Sequence, residues 1–334
     1  MAIEVGIIGC GGMGRVHARH LTALPGVRLR AYADPRAEAA RALLDQHGGD
    51  YVAEDAARLL ADDGLDAVFI CTHHHLHHPL CLQAARAGKQ ILVEKPLALT
   101  VRECEEIEAA VEAAGVKLMV GFMARFSPFV ERLKAAVPRP LVSVGQLVDP
   151  RWPDTSWAND PVEGGGNVLS QGCHCFDLLA WFHESEPVSV SAGGGNLHHP
   201  ALSITDAVVA TLRFASGAVA SAVVGDFGRP AVAGKAFYEL FGGDRTGTLA
   251  GFYDDPVLRC WNAEPASMTM ADLPEAERNS DYAHGYPQMA RAFIAWVAGG
   301  ERPPQAALAR DGTRATRIGA AAIESARTGQ PSTV

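Results

Sequence analysis

The chain has 334 residues, 29 Lys+Arg against 38 Asp+Glu for a net charge of −9, and 48% hydrophobic residues. Single cores stop growing at roughly 250 to 300 residues, so two domains are expected. With an acidic balance and no basic block to track a phosphate backbone, nucleic acid is excluded as an expected partner.

The amino terminus, Met1-Ala2-Ile3-Glu4-Val5, runs straight into an apolar strand without the basic segment and cleavage site of a signal peptide. No apolar run reaches the ~20 residues of a membrane span. The seven cysteines (10, 71, 81, 104, 173, 175 and 260) are odd in number and sit in core-like stretches, so they read as reduced thiols. These features predict a cytoplasmic protein without a membrane partner.

Apolar, β-rich runs at Ile3–Ile8, Val27–Ala33, Ala67–Cys71, Gln90–Val93 and Lys117–Val120 alternate with helical spacing at Arg15–Leu24, Leu80–Ala87 and Val101–Ala114. Such alternation predicts a doubly wound parallel sheet of Rossmann type. Beyond Pro138-Arg139-Pro140 strands follow in series at Leu141–Val148, Pro187–Ser191, Ala207–Phe214, Ala218–Val224 and Lys235–Phe241, which predicts an open, mainly antiparallel sheet. One helix is expected at Val168–Phe182, and two more close the chain at Tyr286–Val297 and Arg310–Thr328. The fold class is therefore α/β plus α+β. Residues 1–122 are expected to bind a dinucleotide, and 123–334 to bind substrate and oligomerise, with the closing helices packing back on the junction.

Gly9-Cys10-Gly11-Gly12-Met13-Gly14 follows the first strand and opens the first helix, the context that makes this glycine pattern specific. The glycines admit a tight turn and close approach of backbone to a pyrophosphate at the helix N-terminus. Asp34 ends the second strand about twenty residues on, where a carboxylate binds the ribose 2′-hydroxyl and repels a 2′-phosphate. NAD is the expected cofactor. Arg36, two residues later, keeps NADP open as the alternative.

Glu94-Lys95-Pro96, ending a strand and followed by Leu97-Ala98-Leu99-Thr100, resembles the signature of the glucose-fructose oxidoreductase and inositol dehydrogenase (Gfo/Idh/MocA) family. The resemblance extends through Cys71-Thr72 to His77, which is similar to the nicotinamide-side loop and implies cofactor contacts for Thr72, His74, His77, Glu94 and Lys95. It continues through Val120-Gly121-Phe122 to Pro128, and through Gly164-Gly165-Gly166, Gln171-Gly172-Cys173-His174 and Asp177-Leu178-Leu179. It implies an NAD(P)-dependent enzyme acting on a secondary alcohol of a sugar, cyclitol or polyol, and a homodimer or homotetramer.

Chemistry assigns roles beside the resemblance. Oxidising a carbinol needs a base for the hydroxyl proton and a donor or cation near the developing alkoxide. Lys95 and His174 supply that catalytic pair, as the matching residues do in the family. Ser170 stands where the inositol branch usually carries Asp, and Met123 where the family often has Asn, so the inositol substrate is in doubt. On a continuous helix, Ser170 and His174 share a face with Asp177 nearby, and Asp177 either orients His174 or braces the domain junction. Arg125 is either a substrate contact or an ion-pair residue. Trp152 and Trp157, in Arg151-Trp152-Pro153-Asp154-Thr155-Ser156-Trp157, form a candidate sugar-stacking platform, with a packing loop or subunit contact as the alternative.

The run His73-His74-His75-Leu76-His77-His78 invites a metal, but consecutive histidines cannot converge on one ion, and Cys173 and Cys175 diverge on a helix, so no metal is expected. Two rival functions remain: an NAD-dependent glycosidase or sugar lyase working through a transient keto sugar, and a noncatalytic NAD-binding sensor.

Overall fold

The computed structural model describes residues 2–229, 233–262 and 266–334. Met1, with which the amino-terminal run opens, lies outside them. The chain divides into two compact units, Met1–Phe122 with Tyr286–Thr313, and Met123–Gly285 with Arg314–Val334.

The first unit is built on a six-stranded sheet in the order β3-β2-β1-β4-β5-β6. Its strands are β1 (Ile3–Ile8), β2 (Val27–Ala33), β3 (Tyr51–Ala53), β4 (Ala67–Ile70), β5 (Gln90–Val93) and β6 (Leu118–Val120). Every pairing is parallel. The intervening helices are α1 (Gly12–Thr22), α2 (Ala37–His47), α3 (Ala56–Leu60), α4 (His77–Arg86) and α5 (Val101–Ala114). Residues 67–70 of β4 and 91–93 of β5 are fully buried, which is why these strands read as unbroken apolar runs rather than alternating ones. The order reverses between β1 and β4, placing a ligand crevice beyond the carboxyl ends of those strands. β3 was not expected; three residues are too few to show a period.

The second unit carries a nine-stranded sheet in the order β14-β13-β12-β11-β7-β10-β9-β8-β15. Its strands are β7 (Val142–Val148), β8 (Pro187–Gly195), β9 (Ala207–Phe214), β10 (Val219–Gly225), β11 (Ala236–Phe241), β12 (Thr246–Ala250), β13 (Val257–Trp261), β14 (Ala266–Met268) and β15 (Ser332–Thr333). The sheet is mainly antiparallel, but β7 and β10 pair in parallel from Val142↔Val219 to Val148↔Gly225. Its helices include α6 (Pro128–Ala136), α7 (Asn167–Ser170), α8 (Gly172–His183) and α9 (Ser280–His284).

The single helix expected at Val168–Phe182 is thus two, α7 and α8, parted at Gln171. The His174 amide reaches back three residues, to the Gln171 carbonyl at 3.0 Å, at the start of α8. α8 is almost wholly buried. It lies close on the sheet at Gly145, where a Cβ would stand 2.8 Å from Cys175 Sγ.

Candidate active site

The turn from β1 into α1 divides its glycines by task. Gly9 has φ +90, and a Cβ there would meet the Cys71 carbonyl oxygen at 2.6 Å, while one on Gly14 would meet the Gly9 oxygen at 2.1 Å. These two hold the turn and press α1 onto the sheet. Gly11 and Gly12 have nothing within 4 Å of where a Cβ would sit, leaving room for a pyrophosphate over the first amides of α1. Asp34, just past β2, accepts hydrogen bonds from the Cys10 amide at 2.9 Å, the Arg36 amide at 2.9 Å and Arg36 Nε at 3.2 Å. Burial pushes its carboxyl up, but the amide and guanidinium hydrogen bonds win and hold it ionised below its ordinary range. The geometry fits a dinucleotide whose ribose hydroxyls face Asp34.

At the carboxyl end of β5, Lys95 stands between two anchored neighbours. Glu94 is buried, and its Oε1 lies 2.8 Å from Nε2 of the fully buried His17 on α1. Burial raises the Glu94 carboxyl, but His17 and the charge of Lys95 bring it below its ordinary value. Gly121 has no side chain where a Cβ would come within 3.2 Å of that carboxylate. The Pro96 carbonyl lies 2.7 Å from His77 Nδ1, and the Thr72 carbonyl 3.2 Å from His77 Nε2, so one imidazole ties the β4 loop to the segment after Lys95. Burial lowers the His77 pKa. His74 is buried nearby with its ring 5.7 Å from that of His77. Glu94, Lys95, Thr72, His74 and His77 are thereby gathered at one end of the parallel sheet. Among the described residues no group of three or more His, Cys, Asp or Glu side chains is arranged to hold a metal ion.

In the second unit His174 and Ser170 are both buried, at 5% and 3% exposure. Arg125 and Asp177 are brought together as an ion pair, Nη2 to Oδ1 at 2.6 Å. Five residues that sequence reasoning passed over complete the setting. The Tyr253 ring lies 6.4 Å from that of His174 and 5.2 Å from that of His284. Lys235 Nζ stands 5.0 Å over the Tyr253 ring and 2.7 Å from Asp149 Oδ1. Asn167 donates to Asp149 Oδ2 at 3.1 Å. Lys235 heads β11 and Asp149 follows β7; a charged residue at a strand end was the available signal. Trp152 and Trp157 lie on the loop leaving β7, with Trp157 37% exposed.

A glycine turn opening onto a helix N-terminus, with an ionised carboxylate at the end of the next strand, is the arrangement of a dinucleotide-binding domain. The model of an oxidoreductase family with an NAD-binding Rossmann fold matches residues 3–122, and the GFO/IDH/MocA C-terminal domain matches 140–242. The chain belongs to the Gfo/Idh/MocA family and is an NAD-dependent dehydrogenase acting on CH–OH. It is 31% identical to the uncharacterised oxidoreductase YrbE of Bacillus subtilis (strain 168), over 98% of this chain and 96% of that one. It is 28% identical to a myo-inositol 2-dehydrogenase of Thermotoga maritima, over 97% and 96%. A solved structure of a candidate myo-inositol dehydrogenase from Sinorhizobium meliloti 1021 superposes with a TM-score of 0.82 at 25% identity, covering 100% of both chains.

Proposed function

We propose that the substrate is a sugar or cyclitol carrying a secondary alcohol, and that Lys95 and His174 are the catalytic pair. Bound NAD supplies the hydride acceptor in the oxidative direction. His174 takes the hydroxyl proton onto a ring nitrogen, and Lys95 donates from Nζ to the same oxygen, stabilising the charge that builds there. The observation that carries this reading is the anchoring of Lys95: the side chain before it is held by His17 and the carbonyl after it faces His77, so its backbone is fixed where ligands of parallel sheets bind. Asp34 favours NAD over NADP. Arg125 and Asp177, engaged with each other, brace the start of α6 and α8 rather than touch substrate, and Ser170 stands where the inositol branch usually carries Asp. Trp152 and Trp157 offer rings for the C–H face of a sugar.

We further propose that the solvent face of the second unit's sheet pairs two copies. One cross-strand row there runs Trp261, Thr246, Phe241, Val142, Val219. Trp261 is 48% and Val142 42% exposed, a large apolar outlay for a monomer.

The test is reduced-cofactor absorbance with NAD or NADP and a panel of inositols, aldoses, aldonates and glycosides. Turnover abolished by both Lys95→Ala and His174→Ala is the expected result. Product sugar released without net NADH would instead identify a self-recycling lyase or glycosidase. NAD binding with neither outcome would overturn the catalytic reading.

A further inference from the structure

Beyond the ends of β7, β8 and β10 an imidazole is sealed between carboxylates. His199 is fully buried, with Nδ1 2.7 Å from Asp154 Oδ1 and Nε2 2.8 Å from Asp226 Oδ2. Asp226 is itself fully buried, and its Oδ2 also accepts the Trp152 amide at 3.0 Å. Asp206, equally buried, accepts the amides of Leu197, His198 and His199 at 2.9, 2.7 and 2.8 Å, forming the turn that presents the ring. Arg151 bonds Asp154 at 2.7 Å and the His198 carbonyl at 3.3 Å. His198 Nδ1 donates to the Asp226 carbonyl at 3.0 Å.

Arg151 of this cluster follows Asp149 by two residues in the chain. The loop it grips begins at Asp149, whose carboxylate pairs with Lys235, whose ammonium lies over Tyr253, beside His174. Trp152 and Trp157 are on that loop.

We propose that His199 is the positioning residue of the Arg151–Trp157 loop: by joining Asp154 of the loop to Asp226 at the end of β10, it fixes Trp152 and Trp157 for substrate and releases them in alkali. The link to substrate rests on the reading of this loop as a sugar platform. A carboxylate only accepts hydrogen bonds, so a ring between two of them satisfies both only as the imidazolium. Burial alone would discharge the ring, but its bonds to Asp154 and Asp226 outweigh burial and the opposing charge of Arg151, and hold its pKa above the ordinary value. The same bond holds Asp154 below its ordinary range. A raised histidine pKa means the clamp is complete at low pH and is lost as pH rises through the raised value. The neutral ring then turns a lone pair on one carboxylate.

Three measurements on the intact protein test this. NMR of 15N-histidine-labelled protein is expected to show one imidazole titrating above the usual range, assigned by its absence in His199→Gln. Trypsin cleavage after Arg151, normalised to a small peptide substrate, is expected to accelerate as pH rises through that same value, and at all pH in His199→Gln. Asp154→Asn, at the cluster's exposed rim, is expected to move both midpoints down by about one pH unit. With NAD and whichever of myo-inositol or D-glucose is turned over, His199→Gln is expected to raise KM about tenfold with kcat within twofold, the loss of one charge-assisted hydrogen bond. Ordinary titration of His199, or cleavage indifferent to the substitution, overturns the clamp. An intact clamp with an unchanged KM overturns its role toward substrate. Failure of wild-type protein to turn over either sugar counts against the catalytic reading, while the NMR and protease results still decide the clamp.

Discussion

Arg125 and Asp177 meet in a two-pronged ion pair, Nε to Oδ2 at 2.8 Å and Nη2 to Oδ1 at 2.6 Å, with both side chains almost completely buried. The guanidinium also lies 5.7 Å over the Trp181 ring. Removing one member strands a buried charge, which typically costs about 3 to 5 kcal/mol, whereas replacing both by apolar groups costs far less. Arg125→Met and Asp177→Asn should each lower the urea midpoint strongly, and Arg125→Met with Asp177→Leu should recover most of the loss. Two single variants of full stability with raised KM would make these substrate contacts instead.

The two classes of glycine in the β1–α1 turn separate folding from cofactor binding. Gly14→Ala drives a Cβ to 2.1 Å from the Gly9 oxygen, a backbone clash that cannot relax, and should destabilise the protein by several kcal/mol, as strain at closely packed backbone does. Gly11→Ala meets nothing within 4 Å, so its melting temperature should stay within about 2 °C of the parent while NAD affinity falls at least about tenfold. Calorimetry paired with NAD titration reads both effects.

Much of this was legible because residue period follows burial. The doubly buried strands of the first unit, the fingerprint with Asp34, and the alternation along β9 all carried their signal locally. The parting of α7 from α8 at Gln171 was not legible, because a helical pattern of apolar residues continues through it. β12 and β13 escaped because Gly247 and exposed Arg259 blur the period. The partnership of Arg125 with Asp177, and of His199 with Asp154 and Asp226, joins residues tens of positions apart and leaves no sequence trace.

Asp34, held by the Cys10 and Arg36 amides, is the residue expected to bind the ribose hydroxyls. Asp34→Ala should weaken NAD by about 10- to 100-fold, the worth of hydrogen bonds to a charged acceptor, and should narrow the gap to NADP, because Arg36 loses the carboxylate now 3.2 Å from its Nε. Arg36→Ala in the same background should remove that gain. KM for both cofactors across the three proteins measures the effect; an unchanged NAD to NADP ratio would disprove it.

The exposed row on the second unit's sheet predicts its own disruption. Trp261→Glu with Val142→Glu places charges at the two most exposed apolar positions of the row and should yield a monomer by light scattering, with NAD affinity unchanged. Dimers surviving both charges would move the interface elsewhere.

His183 gives the fold an acid limb. Its ring stacks on Phe214 with centroids 4.3 Å apart, and its Nε2 lies 2.8 Å from the Ser143 hydroxyl. Burial pushes its pKa from 6.5 down to about 4, so the folded protein keeps it neutral where the unfolded chain would protonate it. A lowered histidine pKa contributes fully above the unfolded value and is lost as pH falls from about 6.5 toward 4, a change on the order of 2 to 3 kcal/mol. His183→Phe should flatten the dependence of the urea midpoint on pH across that window, at some cost near neutrality from the orphaned Ser143 hydroxyl. Restoring apolar company there with Ser143→Ala should return part of that cost, and an acid limb as steep in His183→Phe as in the parent would place the titrating group elsewhere.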